Sequence, residues 1–160
     1  MKSFTFKIIT QEKVVLEREV TQATLPIDGG EVTVLADHMP LIGALKAGEI
    51  RVRGVGNDKG SDITNEKRKD DDEEVLATSG GFVEFHDNIL TILADRAERA
   101  EEIDIERAEQ AKRRAEAMMQ QKDALSDEEY ARTAALLEKE LTRLRVAKKH
   151  RTKHGLHIES

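Results

Sequence analysis

Phe4, Phe6 and Ile8 alternate with Thr5 and Lys7, so the chain opens on a period of two, the repeat of a strand with one buried face. The same period returns at Val14/Leu16, Val32/Val34, Ile50/Val52, Val75/Ala77, Val83/Phe85 and Leu90/Ile92. Turn-forming residues divide these runs: Asp28-Gly29-Gly30, Ala47-Gly48, Gly54-Val55-Gly56, Ser79-Gly80-Gly81 and Asp87-Asn88. Many short alternating strands punctuated in this way predict an antiparallel β-sandwich or barrel, of which the sandwich is the reading adopted.

From Asp104 the period changes. Ala108, Ala111, Ala115 and Met118 fall at steps of three and four, one stripe of a helix. Ser126 with Glu129 three residues on spells a capping box and restarts a second helix. Tyr130, Ala134, Leu137, Leu141 and Leu144 carry the stripe of that helix. A short connection between two helices favours antiparallel neighbours. The fold class read from these periods is α+β: an N-terminal antiparallel β-sandwich over residues 1–96, then a two-helix antiparallel hairpin over 97–150 and a flexible tail over 151–160.

The alanines of the hairpin change what it is expected to do. Each Ala in place of Leu forgoes about three carbons of burial, or ~2 kcal/mol at ~0.8 kcal/mol per methylene. Such a seam suits a marginal appendage. It equally suits a bistable element that folds on its own sandwich or extends along another protein. Periodicity alone does not separate the two.

Composition narrows the function. Of 160 residues 38% are hydrophobic and 36% charged, lean for a single core and consistent with a sandwich plus an appendage. The absence of cysteine excludes a disulfide framework and a thiolate metal site. No secretory signal opens the chain and no stretch approaches the ~18 apolar residues of a membrane span, so membrane association would run through a protein partner. A net charge of −6 argues against nucleic-acid binding. No Gly-rich phosphate loop, nucleophile–base pairing or metal-ligand set is present, so the chain reads as no enzyme.

Two charged stretches stand apart. Residues 56–74 carry eight acidic and four basic residues, too polar to repay ordering by burial, and read as a solvated insertion between strands. Asp70, Asp71, Asp72, Glu73 and Glu74 belong to that insertion and read as solvated acids rather than a metal or partner site. Near the C-terminus Arg143, Arg145, Lys148, Lys149, Arg151 and Lys153 make a basic tip that suits an acidic protein surface or a nucleotide. His150, His154 and His157 read as part of the tail, not as metal ligands.

Three runs in order carry a family resemblance: GGEVTVLADHMPLIGALKAGEIRV, GGFVEFHDNILTILADRAERAEEIDIERA and ALLEKELTRLRVA. Together they resemble the epsilon subunit of the F-type (proton-translocating) ATP synthase of bacteria. The resemblance implies a sandwich at the foot of the central stalk that touches the gamma subunit and the c-ring. It implies two movable helices that fold down or extend toward the catalytic alpha/beta ring and block ATP hydrolysis. It implies a non-catalytic rotor subunit that couples proton translocation to ATP synthesis, peripheral on the cytoplasmic face of the cell membrane. The alternative class is a free-standing ATP-sensing module with the same helical switch.

Site residues follow from the resemblance one by one. Glu31 and His38 match positions that face the stalk foot and c-ring. Ile103-Asp104-Ile105-Glu106-Arg107-Ala108 matches the Ile/Leu-Asp-x-x-Arg-Ala motif of an ATP site found on the folded hairpin in several bacterial members. Glu98, Arg114 and Arg143 align with further positions of that site, so regulatory ATP is the expected ligand and no cofactor is required. Lys139 stands where an arginine is usual, which loses the bidentate fork. Asp104 has a competing local role as helix N-cap. Where the family usually has glycines before its Pro-Leu pair, this chain has Ala36-Asp37-His38, and Asp37 is expected to make the turn through its side chain.

Overall fold

A computed structural model describes residues 2–54 and 73–153. They divide into two compact units, the first ending at Glu98 and the second beginning at Arg99. The first holds eight strands: β1 (Phe4–Ile9), β2 (Val14–Val20), β3 (Gln22–Ile27), β4 (Gly30–Leu35), β5 (Leu41–Arg53), β6 (Glu73–His86), β7 (Ile89–Ala94) and β8 (Ala97–Arg99). Hydrogen bonding runs in the order β2-β1-β7-β6-β5-β3-β4, with β8 on β6, so the sandwich is one continuous sheet folded on itself. Along that order neighbours are antiparallel except β1 and β7, which pair in parallel with Phe6 opposite Leu90.

The alternating residues make the core. Phe4, Phe6, Ile8, Phe85, Leu90 and Ile92 are all buried, and Phe4 meets Phe85 edge to face with ring centroids 5.5 Å apart. Two expected turns are bends instead. Ala47-Gly48 lies inside the 13-residue β5, and Ser79-Gly80-Gly81 inside the 14-residue β6. Gly80 and Gly81 have φ of 119° and 140°, and a Cβ on Gly81 would lie 2.1 Å from the Leu93 carbonyl oxygen. Glycine therefore lets β6 change direction against β7 without ending.

β3 is an element that alternation does not predict. Ala23, Thr24 and Leu25 are buried in succession, and Pro26 follows within the strand. The proline is tolerated because the β3–β5 register shifts between Thr24 and Ile27, so no regular ladder bond is needed there. The expected Asp87-Asn88 turn is present, with φ of 50° and 58°, the backbone of a tight two-residue hairpin loop.

Glu74 departs from expectation. It is buried on β6, and its carboxylate accepts a 2.9 Å ion pair from Arg18, which lies in phase with Leu16 and Val20 on β2. A buried acid is stable only when so matched. Residues 55–72, which hold most of the charged insertion including Asp70, Asp71 and Asp72, lie outside the described residues.

The second unit pairs α1 (Ile105–Gln120) with α2 (Asp127–Lys153). Asp104 caps α1, its Oδ1 accepting from the Arg107 backbone N–H at 3.0 Å. The capping box forms as spelled: Ser126 N–H donates to Glu129 Oε2 at 2.8 Å, and Glu129 N–H to Ser126 Oγ at 3.2 Å. Lys148 near the end of α2 donates to Glu109 near the start of α1 at 3.1 Å, which makes the helices antiparallel.

The seam of α2 differs from the apolar stripe. Leu141 is exposed, as is Met118 on α1. Leu144 of the expected stripe is buried and Leu137 half-buried, and Thr133, Glu140 and Ala147 join them at steps of three and four. Thr133 satisfies its hydroxyl by donating to the Glu129 carbonyl at 2.8 Å. Polar residues thus occupy seam positions by bonding within their own helix, which a hydrophobic pattern cannot register. Among the described residues no helix is long and apolar enough to cross a membrane.

Candidate functional site

On the sandwich, Glu31 and His38 stand toward opposite ends of β4. Glu31 is exposed on that strand, and Arg51 Nη2 of β5 donates to its carboxylate at 2.8 Å. Arg51 also reaches Glu49 at 3.4 Å, so Glu31 is one arm of a small surface ion network. His38 follows the end of β4 and is half-buried against the edge of Phe85, ring centroids 6.0 Å apart. Its Nδ1 lies 2.8 Å from the Met39 carbonyl, which can only accept, so Nδ1–H donates there.

The turn that presents His38 is built without glycine. Asp37 adopts φ 63° and takes its side chain to the β6–β7 turn. Asn88 Nδ2 donates to Asp37 Oδ1 at 3.0 Å, and Asp37 N–H donates to Asn88 Oδ1 at 2.7 Å. Asn88 and the ammonium of Lys2 hold the Asp37 carboxyl below its ordinary range. The expected side-chain turn is therefore present, and it ties two loops together.

Beside this turn lies a surface that alternation should have made polar. Ile42 is 80% exposed, Phe82 66% and Leu93 55%. Ala44 pairs across strands with Phe82, and Phe82 with Leu93, so these residues share the outward face of β5, β6 and β7. Met39 extends the exposed apolar surface at 73%. Sequence reading missed the patch, although its signal was there: with Val83 and Phe85 inward, Phe82 is an aromatic on the solvent phase of its strand.

The nucleotide residues divide between the units. Glu98 lies on β8, half-buried, in the first unit. The others are on the hairpin. Asp104 and Arg107 are exposed on the first turn of α1, where Asp104 already serves as cap. Arg114 is also exposed, two turns beyond Arg107 and so on nearly the same face, about 10 Å further along the axis. Arg143 does not stand alone. Its Nη1 donates to Glu140 at 2.7 Å, and Lys139 Nζ lies 3.6 Å from the same carboxylate. Arg107 and Arg114 lie on α1 and Lys139 and Arg143 on α2, so both helices of the hairpin carry cations.

Residues 3–100 match the family described as ATP synthase, Delta/Epsilon chain, beta-sandwich domain. Residues 101–148 match the companion long alpha-helix domain of the same family. An ATP synthase epsilon chain of Dehalococcoides mccartyi is 40% identical over 151 residues, covering 94% of this chain and 96% of the relative. One from Moorella thermoacetica is 39% identical over 147 residues, covering 92% and 98%. Among solved structures, a chain of the Euglena gracilis mitochondrial ATP synthase OSCP/F1/c-ring assembly superposes with a TM-score of 0.67 at 21% identity, covering 97% of this chain and 82% of that one, a likeness of fold. With both units matched in order and bacterial relatives aligned over nearly their whole length, the chain belongs to the ATP synthase delta/epsilon family, as an epsilon subunit of the bacterial F-type.

Proposed function

We propose that this subunit is a non-catalytic part of the rotor, docked through its sandwich and regulatory through its hairpin. The observation that carries the reading is the outward apolar strip of Ile42, Ala44, Phe82 and Leu93 on a chain that is 36% charged. Water-facing aliphatic and aromatic groups on adjacent strands favour a permanent partner, and the gamma subunit is the one the family offers. Glu31 and His38, at the two ends of β4, then meet polar loops of the c-ring. Docked so, the sandwich rides with the rotor and couples proton translocation to ATP synthesis from the cytoplasmic face of the membrane.

The hairpin supplies regulation. Its buried residues mix Ile105, Leu144 and Val146 with Ala108, Ala115, Thr133, Glu140 and Ala147, less apolar surface per turn than the sandwich, so its folded form is exchanged for an extended one. Extended, the helices carry the basic residues of α2 to the catalytic ring and slow hydrolysis. Folded, Asp104, Arg107, Arg114 and Arg143 hold regulatory ATP, which favours the folded form by binding it alone.

The test is the ATP hydrolysis rate of a catalytic core lacking this subunit, with the full chain or a chain ending at Glu98 added. Both chains are expected to bind the core, and only the full chain to inhibit. Failure of the shortened chain to bind would remove the docking role from the sandwich. Equal rates with both would remove inhibition from the hairpin.

A further inference from the structure

Beside Lys139 and Arg143 of α2 lies a carboxylate that the helix seam withdraws from water. Glu140 is 5% exposed. One of its oxygens accepts from Arg143 at 2.7 Å, and the other lies 3.6 Å from the Lys139 ammonium. All three side chains are largely shielded, at 7% exposure for Glu140, 16% for Arg143 and 21% for Lys139. Such an acid is not a solvated neighbour leaning on a cation. A carboxylate removed from water is strongly penalised unless matched, and here two cations of its own helix match it. The converse holds for the cations. Their positive charge is already partly neutralised, at short range and away from screening solvent.

We infer that Glu140 is an internal competitor for polyphosphate: in the folded hairpin its carboxylate occupies Lys139 and Arg143, and an incoming phosphate chain has to displace it. The inference rests on the hairpin nucleotide reading given above and adds a device to it. Lys139, Glu140 and Arg143 together carry one net positive charge rather than two, so the site is tuned toward weak binding and answers only to abundant ligand. The carboxylate also gives the empty hairpin a stable state, since the cations are never left without an anion.

The test is calorimetry on the full chain with magnesium-ATP and, separately, inorganic tripolyphosphate, comparing the unmutated chain with Glu140→Gln, Glu140→Ala and Glu140→Gln/Arg143→Gln. Helicity by circular dichroism checks each fold, and Ala, the best helix former, is the second variant if Gln perturbs α2. Removal of the carboxylate is expected to tighten both ligands about tenfold, a typical coupling for one competing interaction, and the gain is lost in the double variant. In the unmutated chain, saturation with tripolyphosphate is expected to move the carbon-13 resonance of the Glu140 carboxyl. If the unmutated chain binds ATP and both single variants bind it no more tightly, the competition is refuted while the nucleotide site stands. A gain for ATP without one for tripolyphosphate also refutes it, because the contest would not be for phosphate. Absence of binding in every chain overturns the nucleotide reading and this inference together.

Discussion

The sandwich and the hairpin solve the same problem, burying enough surface to hold a shape, with opposite materials. In the sandwich, Phe, Ile, Leu and Val interleave, and Phe4, Phe6, Ile8, Leu90 and Ile92 leave almost nothing exposed. In the hairpin unit, Ile103, Ile105, Leu144 and Val146 are buried among smaller or polar residues, Ala108, Ala115, Thr133, Glu140 and Ala147. A full-size aliphatic side chain contributes about 1.5–3 kcal/mol on burial, and an alanine far less. One unit is therefore a platform. The other buries fewer large side chains and leans more on caps and ion pairs.

This contrast can be broken most severely inside the platform. Phe85→Ala removes a ring that packs on both Phe4 and His38 and is expected to cost about 3–5 kcal/mol. Urea unfolding followed at the sheet band of circular dichroism measures the loss. Gly81→Ala comes next, at about 2–3 kcal/mol, because its Cβ meets the Leu93 carbonyl at a φ of 140° that side chains rarely adopt. A Gly81→Ala chain as stable as the original would show that the bend in β6 is relaxed rather than required.

Changes to the hairpin are expected to be smaller. Ser126→Ala removes one half of the capping box and should destabilise α2 by about 1 kcal/mol, read as lower helicity and an earlier thermal transition. The smallest effect is one of pH. The Ser126 backbone N–H and hydroxyl hold the Glu129 carboxyl below its ordinary range. That contribution is present above the unfolded carboxylate pKa of about 4.3 and is lost as pH falls through the lower folded value. A helix signal that weakens on acidification in the original chain, and weakens less in Glu129→Gln, is the expected result.

The same difference of material decides what was legible in the sequence. The sandwich strands announce themselves because one face is greasy and the other is not, and the core residues from Phe4 to Ile92 follow that phase. β3 stays hidden because both of its faces are covered along Ala23, Thr24 and Leu25, which abolishes alternation. Glycines read as punctuation turned out to be bends, since only tertiary context distinguishes a strand that turns back from one that curves. In the hairpin, caps were fully legible: Asp104, Ser126 and Glu129 act through neighbours within three residues. The seam was not, because Thr133 and Glu140 are made buriable by partners on their own helix. At the candidate site Arg107 is legible in a motif and Arg114, Lys139 and Arg143 only through the family resemblance, whereas the burial of Glu140 beside two of them depends on tertiary packing, and Phe82 shows in the sequence only as an aromatic out of phase with its strand.

The parallel pairing of β1 with β7 carries a consequence for synthesis. Thr5 to Ile9 hydrogen-bond with Ile89 to Leu93, so the first strand made is completed by almost the last strand of its unit. On the ribosome, β1 and β2 can form a hairpin early, but the edge of β1 that β7 will cover stays open until that later strand emerges. Long-range pairing of this kind is slow to close. The nascent sandwich thus passes through an interval with an unsatisfied strand edge and an incomplete core, a natural recognition feature for a chaperone and the stage at which misassembly is most readily seeded.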